Sequence, residues 1–124
     1  MKVFKCPICG NVIELLDGDI SKIKCCNVEL QEEKANVVDA STEKHVPSYE
    51  IKGDMIEVQV GEVEHPMTQE HYIMWIALVS GNKMEKVLLT PDDKPVAKFH
   101  YEKDAEIYAY CNLHGLWKVK VMDN

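Results

Sequence analysis

The sequence predicts a mostly β protein, in which a small metal-binding knuckle domain precedes a seven-stranded antiparallel β-sandwich. Short β-type segments alternate with turn residues along most of the chain, and the cysteines and histidines fall into two separate clusters. A chain of 124 residues can form one ordinary domain with a small appendage. We therefore expect domains at residues 1–36 and 37–124.

The first domain is predicted to contain short strands around turns. The strands are expected at residues 3–4, 12–15 and 23–30, with turns at 6–10 and 17–19. A segment of about 36 residues buries too little apolar surface to be stable alone, so a metal or an oligomer must help to hold it. The small and polar residues 32–41 are expected to form the linker.

The second domain is predicted to be an immunoglobulin-like sandwich of seven strands. Ile56, Val58 and Val60 alternate with polar residues, as they do in a strand with one buried face. The seven predicted strands are residues 49–52, 55–60, 72–79, 84–89, 96–101, 106–111 and 116–122.

Composition argues against several classes of protein. The formal net charge is −7 and there is no arginine, so the basic surface of a nucleic-acid-binding protein is missing. The longest apolar run, residues 72–79, is too short to span a bilayer, and the N-terminal residues have no apolar signal region. We expect a soluble cytoplasmic protein. Five cysteines in a reducing compartment favour metal-bound thiolates over disulfides.

The first cluster combines the knuckle Cys6-x-x-Cys9 with the adjacent pair Cys25 and Cys26. Two residues between cysteines let both sulfurs face one ion, and Gly10 permits a tight backbone approach. Zinc and iron both accept four thiolates, so this spacing leaves the metal open. Because adjacent side chains project apart along an extended chain, ligation by both cysteines of the pair should distort the tetrahedron.

The second cluster contains more ligands than a four-coordinate zinc requires and suits a metal with an open reactive position. Its members are His45, His65, His71, Cys111 and His114, all on predicted loops or strand ends. His100 stands outside on a predicted strand and is interpreted as packed or solvated. Trp75 and Trp117 are interpreted as core or wall residues.

Both clusters carry a family resemblance. The knuckle with its vicinal cysteines resembles desulforedoxin, which binds one iron through four thiolates. From Cys6 to Trp117 the chain resembles the desulfoferrodoxin family, the two-iron form of superoxide reductase. The motifs are Glu43-Lys44-His45-Val46-Pro47, His65-Pro66-Met67 with His71, and Cys111-Asn112-Leu113-His114-Gly115 with Trp117.

The resemblance implies two mononuclear irons, a desulforedoxin-like centre bound by four cysteines and a second centre with one open position. At the second iron, His45, His65, His71 and His114 would lie in one plane and Cys111 would bind axially. Glu43 would fill the sixth position in the resting ferric form, and Lys44 would sit beside the substrate. Superoxide would be reduced to hydrogen peroxide without dioxygen. A rubredoxin-like electron donor and a homodimer are also implied.

The ligand chemistry is consistent with an anionic substrate. Neutral imidazoles leave most of the charge of a ferrous ion uncancelled and one thiolate removes a single unit, so the site attracts anions. A blue copper carrier using Cys111, His114, an upstream histidine and Met122 is an alternative, as is a structural protein with two zinc ions. Without the resemblance, Glu43 and Lys44 would be read as an ordinary exposed charged pair.

Overall fold

The computed structural model describes residues 1–38 and 45–122. The chain forms two compact units, Met1–Lys34 and Ala35–Asn124. Among the described residues, no helix has the length and apolar character needed to cross a membrane.

The first unit is a set of very short strands around a small core. A three-stranded antiparallel sheet has the order β2-β1-β5, and β3 pairs with β4 as a hairpin. Phe4, Cys6 and Leu30 are buried at its centre. Its elements are β1 (Val3–Lys5), β2 (Val12–Glu14), a 3-10 turn (Ile20–Lys22), β3 (Lys24–Cys25), β4 (Val28–Glu29) and β5 (Glu32–Glu33).

Two details of this unit differ from the sequence prediction. The return predicted at residues 23–30 is a hairpin whose two-residue turn has φ 52° at Cys26 and 61° at Asn27. Positive φ at both positions characterises the type I′ turn, which matches the twist of a hairpin. The linker was predicted to begin at Glu32, but β5 instead pairs with β1 and completes the sheet. Residues 39–41 of the predicted linker lie outside the described residues.

The second unit is an antiparallel sandwich of seven strands among the described residues, which confirms the predicted fold class. One sheet has the order β10-β7-β6 and the other β12-β11-β8-β9. The strands are β6 (Pro47–Lys52), β7 (Met55–Val60), β8 (Ile73–Ser80), β9 (Lys83–Leu88), β10 (Val96–His100), β11 (Glu106–Cys111) and β12 (Gly115–Lys120).

The core of this unit lies between the two sheets. The predicted alternation in β7 is confirmed, because Ile56, Val58 and Val60 are at most 2% exposed and the residues between them are half-buried. Ile107 and Ala109 of β11 meet them from the other sheet in one apolar cluster. Burial of this surface is the main favourable term in folding.

A β-bulge shapes the sheet beside Cys111. Tyr110 is paired with Trp75, but the next residue, Cys111, is paired with Ile73, so the register skips Met74. The skip reverses the in-and-out alternation, and Ile73 therefore shares the core with Ile76, three residues away. In β11 the alternation is unbroken, so Cys111 faces the core with Ile107 and Ala109.

The antiparallel pairing of the strands places three connections at one end of the sandwich. Pro47, at the start of β6, pairs with Val60, at the end of β7. Cys111 pairs with Gly115 across the turn from β11 to β12 and with Ile73 at the start of β8. The residues before β6, between β7 and β8, and between β11 and β12 thus emerge close together.

Candidate metal centres

The four cysteines of the first unit form a compact group of thiols. Their sulfur atoms all lie within 4.8 Å of one another. The sulfur of Cys25 is 3.5 Å from that of Cys9 and 4.0 Å from that of Cys26. A disulfide requires an S–S distance of about 2.05 Å, and all five cysteines of the chain are free.

The backbone of the knuckle explains how two sulfurs reach one point. The N–H of Gly10 donates to the Cys6 carbonyl at 2.9 Å, and the N–H of Cys6 donates to the Asn11 carbonyl at the same distance. Gly10 has φ +79°, a left-handed conformation that glycine adopts without steric cost. This closed turn holds Cys6 and Cys9 on the same side.

The hairpin turn allows two adjacent cysteines, Cys25 and Cys26, to contribute to the same group of thiols. Cys25 is the last residue of β3, whereas Cys26 is the first residue of the type I′ turn. An extended chain would point the two side chains to opposite faces. The positive φ of Cys26 instead brings both sulfurs into the group.

The pKa values of these thiols are shifted in opposite directions, as expected for a close group of thiols that suits a cation. A hydrogen bond from the Cys9 backbone N–H lowers the pKa of Cys6 to about 6. Hydrogen bonds with the side chains of Cys6 and then Cys9, together with burial, raise the pKa of Cys25 to about 12. Adjacent thiolates disfavour one another, and a thiophilic metal removes that penalty by deprotonating its ligands. The donor set therefore fits a tetrathiolate metal centre.

Four imidazoles form a closed ring at the end of the sandwich. Adjacent ring centroids are separated by 4.7 Å for His45 and His65, 4.6 Å for His65 and His71, 5.0 Å for His71 and His114, and 4.8 Å for His114 and His45. Across the ring, the centroids of His45 and His71 are 6.2 Å apart. Neighbouring rings are steeply inclined, at 63° to 81°. The sequence placed these residues in three separate segments.

The Cys111 thiol lies beside this ring. Its sulfur is 3.7 Å from Nδ1 of His114, which is 3.0 Å from Nε2 of His45. One potential ligand atom from each of His45, His71, Cys111 and His114 lies within 4.8 Å of the others. His65 is outside that group of four, although its ring directly neighbours those of His45 and His71.

Two histidines present ring nitrogens that suit a metal ion. His65 Nδ1 lies 2.8 Å from the Pro66 carbonyl, which only accepts, so Nδ1 carries the proton and Nε2 keeps its lone pair for a metal. His71 Nε2 is buried and has no hydrogen-bond partner among the described residues. Buried polar atoms are nearly always satisfied. A metal ion would satisfy this nitrogen.

Burial is uneven around the second group. Cys111 is 0% exposed, His45 1% and His65 2%, whereas His114 is exposed. The thiol and two imidazoles are therefore shielded from water, and the edge of the group at His114 reaches solvent. Such a site can hold a reactive metal in a protected environment and still admit a small molecule.

Two other residues considered from the sequence, His100 and Met122, lie away from the histidines. Glu43 and Lys44 fall outside the described residues. His100 is exposed at the end of β10 and belongs to neither group. Met122, needed for the blue copper alternative, follows the far end of β12 and is 67% exposed, so the structure does not bring it to the histidines.

The sequence patterns did not single out Asn112, which hydrogen-bonds to the backbone on both sides of His71. The sequence signal that could have identified it is an amide side chain between two candidate ligands, Cys111 and His114, in one short turn.

Comparisons with known proteins agree with this geometry. The family model for desulfoferrodoxin matches residues 37–120, and that for the desulfoferrodoxin N-terminal domain matches residues 1–32. The desulfoferrodoxin of Clostridium acetobutylicum is 48% identical over 112 residues, covering 90% of each chain.

Solved structures give the same result. The superoxide reductase from Treponema pallidum has a TM-score of 0.78 and 32% identity, covering 96% of this chain and 97% of its own. The one-iron superoxide reductase from Giardia intestinalis has a TM-score of 0.60 and 31% identity, covering 66% of this chain and 100% of its own. On two family models that together match most of its length and on these relatives, the chain belongs to the desulfoferrodoxin family.

Proposed function

We propose that this chain is a superoxide reductase, an oxidoreductase that converts superoxide to hydrogen peroxide by one-electron reduction, in the antioxidant defence of an anaerobe. The observation that carries this conclusion is the closed ring of four imidazoles with the Cys111 thiol beside it. The likeness to the superoxide reductases of Treponema pallidum and Giardia intestinalis supports it.

The cofactors are two mononuclear irons, one at each group. Cys6, Cys9, Cys25 and Cys26 would hold the first, and His45, His65, His71, Cys111 and His114 would hold the second. The electron for superoxide would come from an iron held by the second group. The first centre would serve as a one-electron site of the desulforedoxin type.

The first contribution of the protein to the mechanism is the net charge of its ligand set. Neutral imidazoles and one thiolate leave a ferrous site with net positive charge, which favours binding of an anion. The His65 hydrogen bond and the burial of Cys111 prepare these ligands for an ion: His65 presents Nε2, and Cys111 is buried where a thiolate requires a cation. A buried thiolate donates electron density to its metal.

Glu43 and Lys44 are proposed as the substrate-side residues. They immediately precede His45, which is 1% exposed and belongs to the imidazole ring. Lys44 would attract superoxide and organise the protons that convert it to hydrogen peroxide, and Glu43 would be a further ligand of the iron in its resting ferric form. The family resemblance supports both roles.

The remaining expectations are also proposals. We assign residues 1–36 to a desulforedoxin-like domain and residues 37–124 to the catalytic domain, which the two family matches support. A rubredoxin-like electron donor and a homodimer are supported by the family resemblance, and a cytoplasmic location by the five free cysteines, which a reducing compartment preserves.

The proposed activity is tested by measuring superoxide consumption anaerobically with peroxide and dioxygen both quantified. Reduction consumes one electron and two protons per superoxide and gives hydrogen peroxide alone, whereas dismutation also releases dioxygen. Dioxygen evolution matching dismutation would overturn the proposal. Metal analysis provides an independent check, since two irons per chain are expected, and one copper or two zinc ions would favour the alternatives.

A further inference from the structure

Asn112 stands between two candidate ligands and contacts the backbone on both sides of a third. Its Nδ2 donates to the carbonyl of Glu70 at 3.0 Å, and its Oδ1 accepts from the N–H of Tyr72 at 2.9 Å. Its own N–H also donates to the Tyr72 carbonyl at 3.2 Å. The residue between Glu70 and Tyr72 is His71. One side chain thus brackets this histidine from the adjacent loop.

The His71 segment depends on contacts of this kind. The backbone groups of His71 pair with those of Thr68, with N–O distances of 2.9 and 3.2 Å, and its N–H is also 3.1 Å from the Thr68 hydroxyl. Its ring nitrogen Nε2 has no hydrogen-bond partner among the described residues. The hydrogen bonds of this segment therefore hold its backbone, which Thr68 contacts from within the segment and Asn112 contacts from outside, at Glu70 and Tyr72.

Asparagine has the right chemistry for this position. A carboxamide offers a donor and an acceptor on one short planar group, whereas a carboxylate only accepts and an alanine methyl does neither. The bond to Glu70 needs the donor, and the bond to Tyr72 needs the acceptor. Because Asn112 follows Cys111 directly, both bonds also tie the loop of the thiol to the segment of His71.

We propose that Asn112 is a positioning residue, which fixes the Cys111 loop against the His71 segment so that thiolate and imidazole reach one metal ion. It acts through the backbone on either side of His71. The inference rests on the proposed iron centre of histidines and Cys111. Residues that orient metal ligands through hydrogen bonds typically change metal affinity by about 10- to 100-fold when they are replaced.

The test uses the full chain loaded anaerobically with ferrous iron. Asn112→Ala removes both side-chain bonds, and Asn112→Asp keeps the size and acceptor while removing the donor to Glu70. Asn82→Ala, an exposed asparagine in the turn between β8 and β9, is the matched control. Iron retention against a chelator is followed separately for the two centres by their visible absorption after oxidation.

Both Asn112 variants should hold iron about 10- to 100-fold more weakly at the His and Cys centre. Retention at the four-cysteine centre should be unchanged, which provides a control within each molecule. The control variant should match the parent at both centres. Unchanged retention at the His and Cys centre in both variants would overturn the proposal, as would equal weakening of both centres or failure of both variants to fold, because each outcome assigns Asn112 no specific role at this centre.

Iron retention is measured without superoxide, so this result is separable from the proposed activity. A parent protein that binds both irons and reduces no superoxide would reject the proposed function and leave the role of Asn112 to be decided by its variants. A parent that reduces superoxide, with Asn112 variants that retain iron normally, would reject only the role of Asn112.

Discussion

The indole of Trp117 stacks on the imidazole of His45, with ring centroids 4.6 Å apart and an interplanar angle of 15°. Its Nε1–H donates to the carbonyl of His114 at 3.1 Å. One buried side chain on β12 therefore contacts two candidate ligands that are 69 residues apart in sequence. We conclude that Trp117 lines one side of the site and that its stacking holds the imidazole plane of His45.

Two replacements of Trp117 should distinguish the effect of its stacking on His45 from that of its hydrogen bond to His114. Trp117→Phe keeps a ring against His45 but loses the bond to His114, which should lower the free energy of unfolding by about 1 kcal/mol. Trp117→Ala removes the stack as well and should cost about 3–5 kcal/mol, typical for a buried tryptophan. Denaturant unfolding measures both, and iron retention should fall further in Trp117→Ala than in Trp117→Phe.

Trp75→Phe is the matched control, because Trp75 is also buried but stacks on Tyr110, with centroids 5.6 Å apart, instead of on a histidine. It should lower stability while iron retention remains that of the parent. If Trp75→Phe and Trp117→Phe weakened iron binding equally, the effect would belong to the sandwich as a whole.

Cys111→Ser tests the thiolate. Cys111 is fully buried in a paired strand, so a hydroxyl of similar size should leave the fold intact. Turnover of superoxide should be abolished, and the thiolate absorption of the oxidised His and Cys centre should disappear. Cys9→Ser is the comparison: it should affect only the four-cysteine centre. Near-normal turnover in Cys111→Ser would contradict ligation by this thiol.

Lys44→Ala tests electrostatic attraction of superoxide. Steering by charges at a site raises association rates by roughly tenfold to a thousandfold, and the loss of one lysine should slow superoxide binding by about tenfold at low salt. The rate should also depend less on ionic strength, because fewer charges remain to be screened. Lys103→Ala, an exposed lysine at the opposite end of the sandwich, should change neither. An unchanged rate in Lys44→Ala would remove its steering role.

The features that follow local rules could be predicted from the sequence. The alternation at Ile56, Val58 and Val60 identified a strand with one buried face, and recurrent turn residues located all seven sandwich strands to within a few residues. The clusters of cysteine and histidine were also visible, because their side chains are few and chemically distinctive. Both signals lie in the residue types themselves.

The features that depend on tertiary contacts could not be predicted. The turn at Cys26 needs positive φ at a residue that rarely adopts it, and the pairing of β5 with β1 gives a charged segment the role of a strand. The skip at Met74 is a choice of register between β8 and β11, which no local pattern encodes. The bracket of Asn112 around His71 joins residues about 40 positions apart.

Glu57 provides a prediction about pH. It lies on β7, where its carboxylate oxygens form ion pairs with Nζ of Lys52 at 2.6 Å and with Nζ of Lys98 at 3.2 Å. Hydrogen bonds from Lys52 and then Lys98 lower the pKa of Glu57. A carboxyl group whose pKa is lower in the folded state stabilises the fold above its unfolded pKa of about 4.3, and this contribution is lost as pH falls through the folded value.

Glu57→Gln should therefore be less stable than the parent at neutral pH, and the difference should shrink to nothing in acid below the folded pKa of Glu57. Urea unfolding across pH measures it, with variant and parent compared at each pH so that protonation of the metal ligands affects both alike. Glu85→Gln, on the exposed β9, controls for loss of one surface charge. A difference that persisted in acid would show that Glu57 acts through packing instead of charge, since a protonated carboxyl and an amide are both neutral.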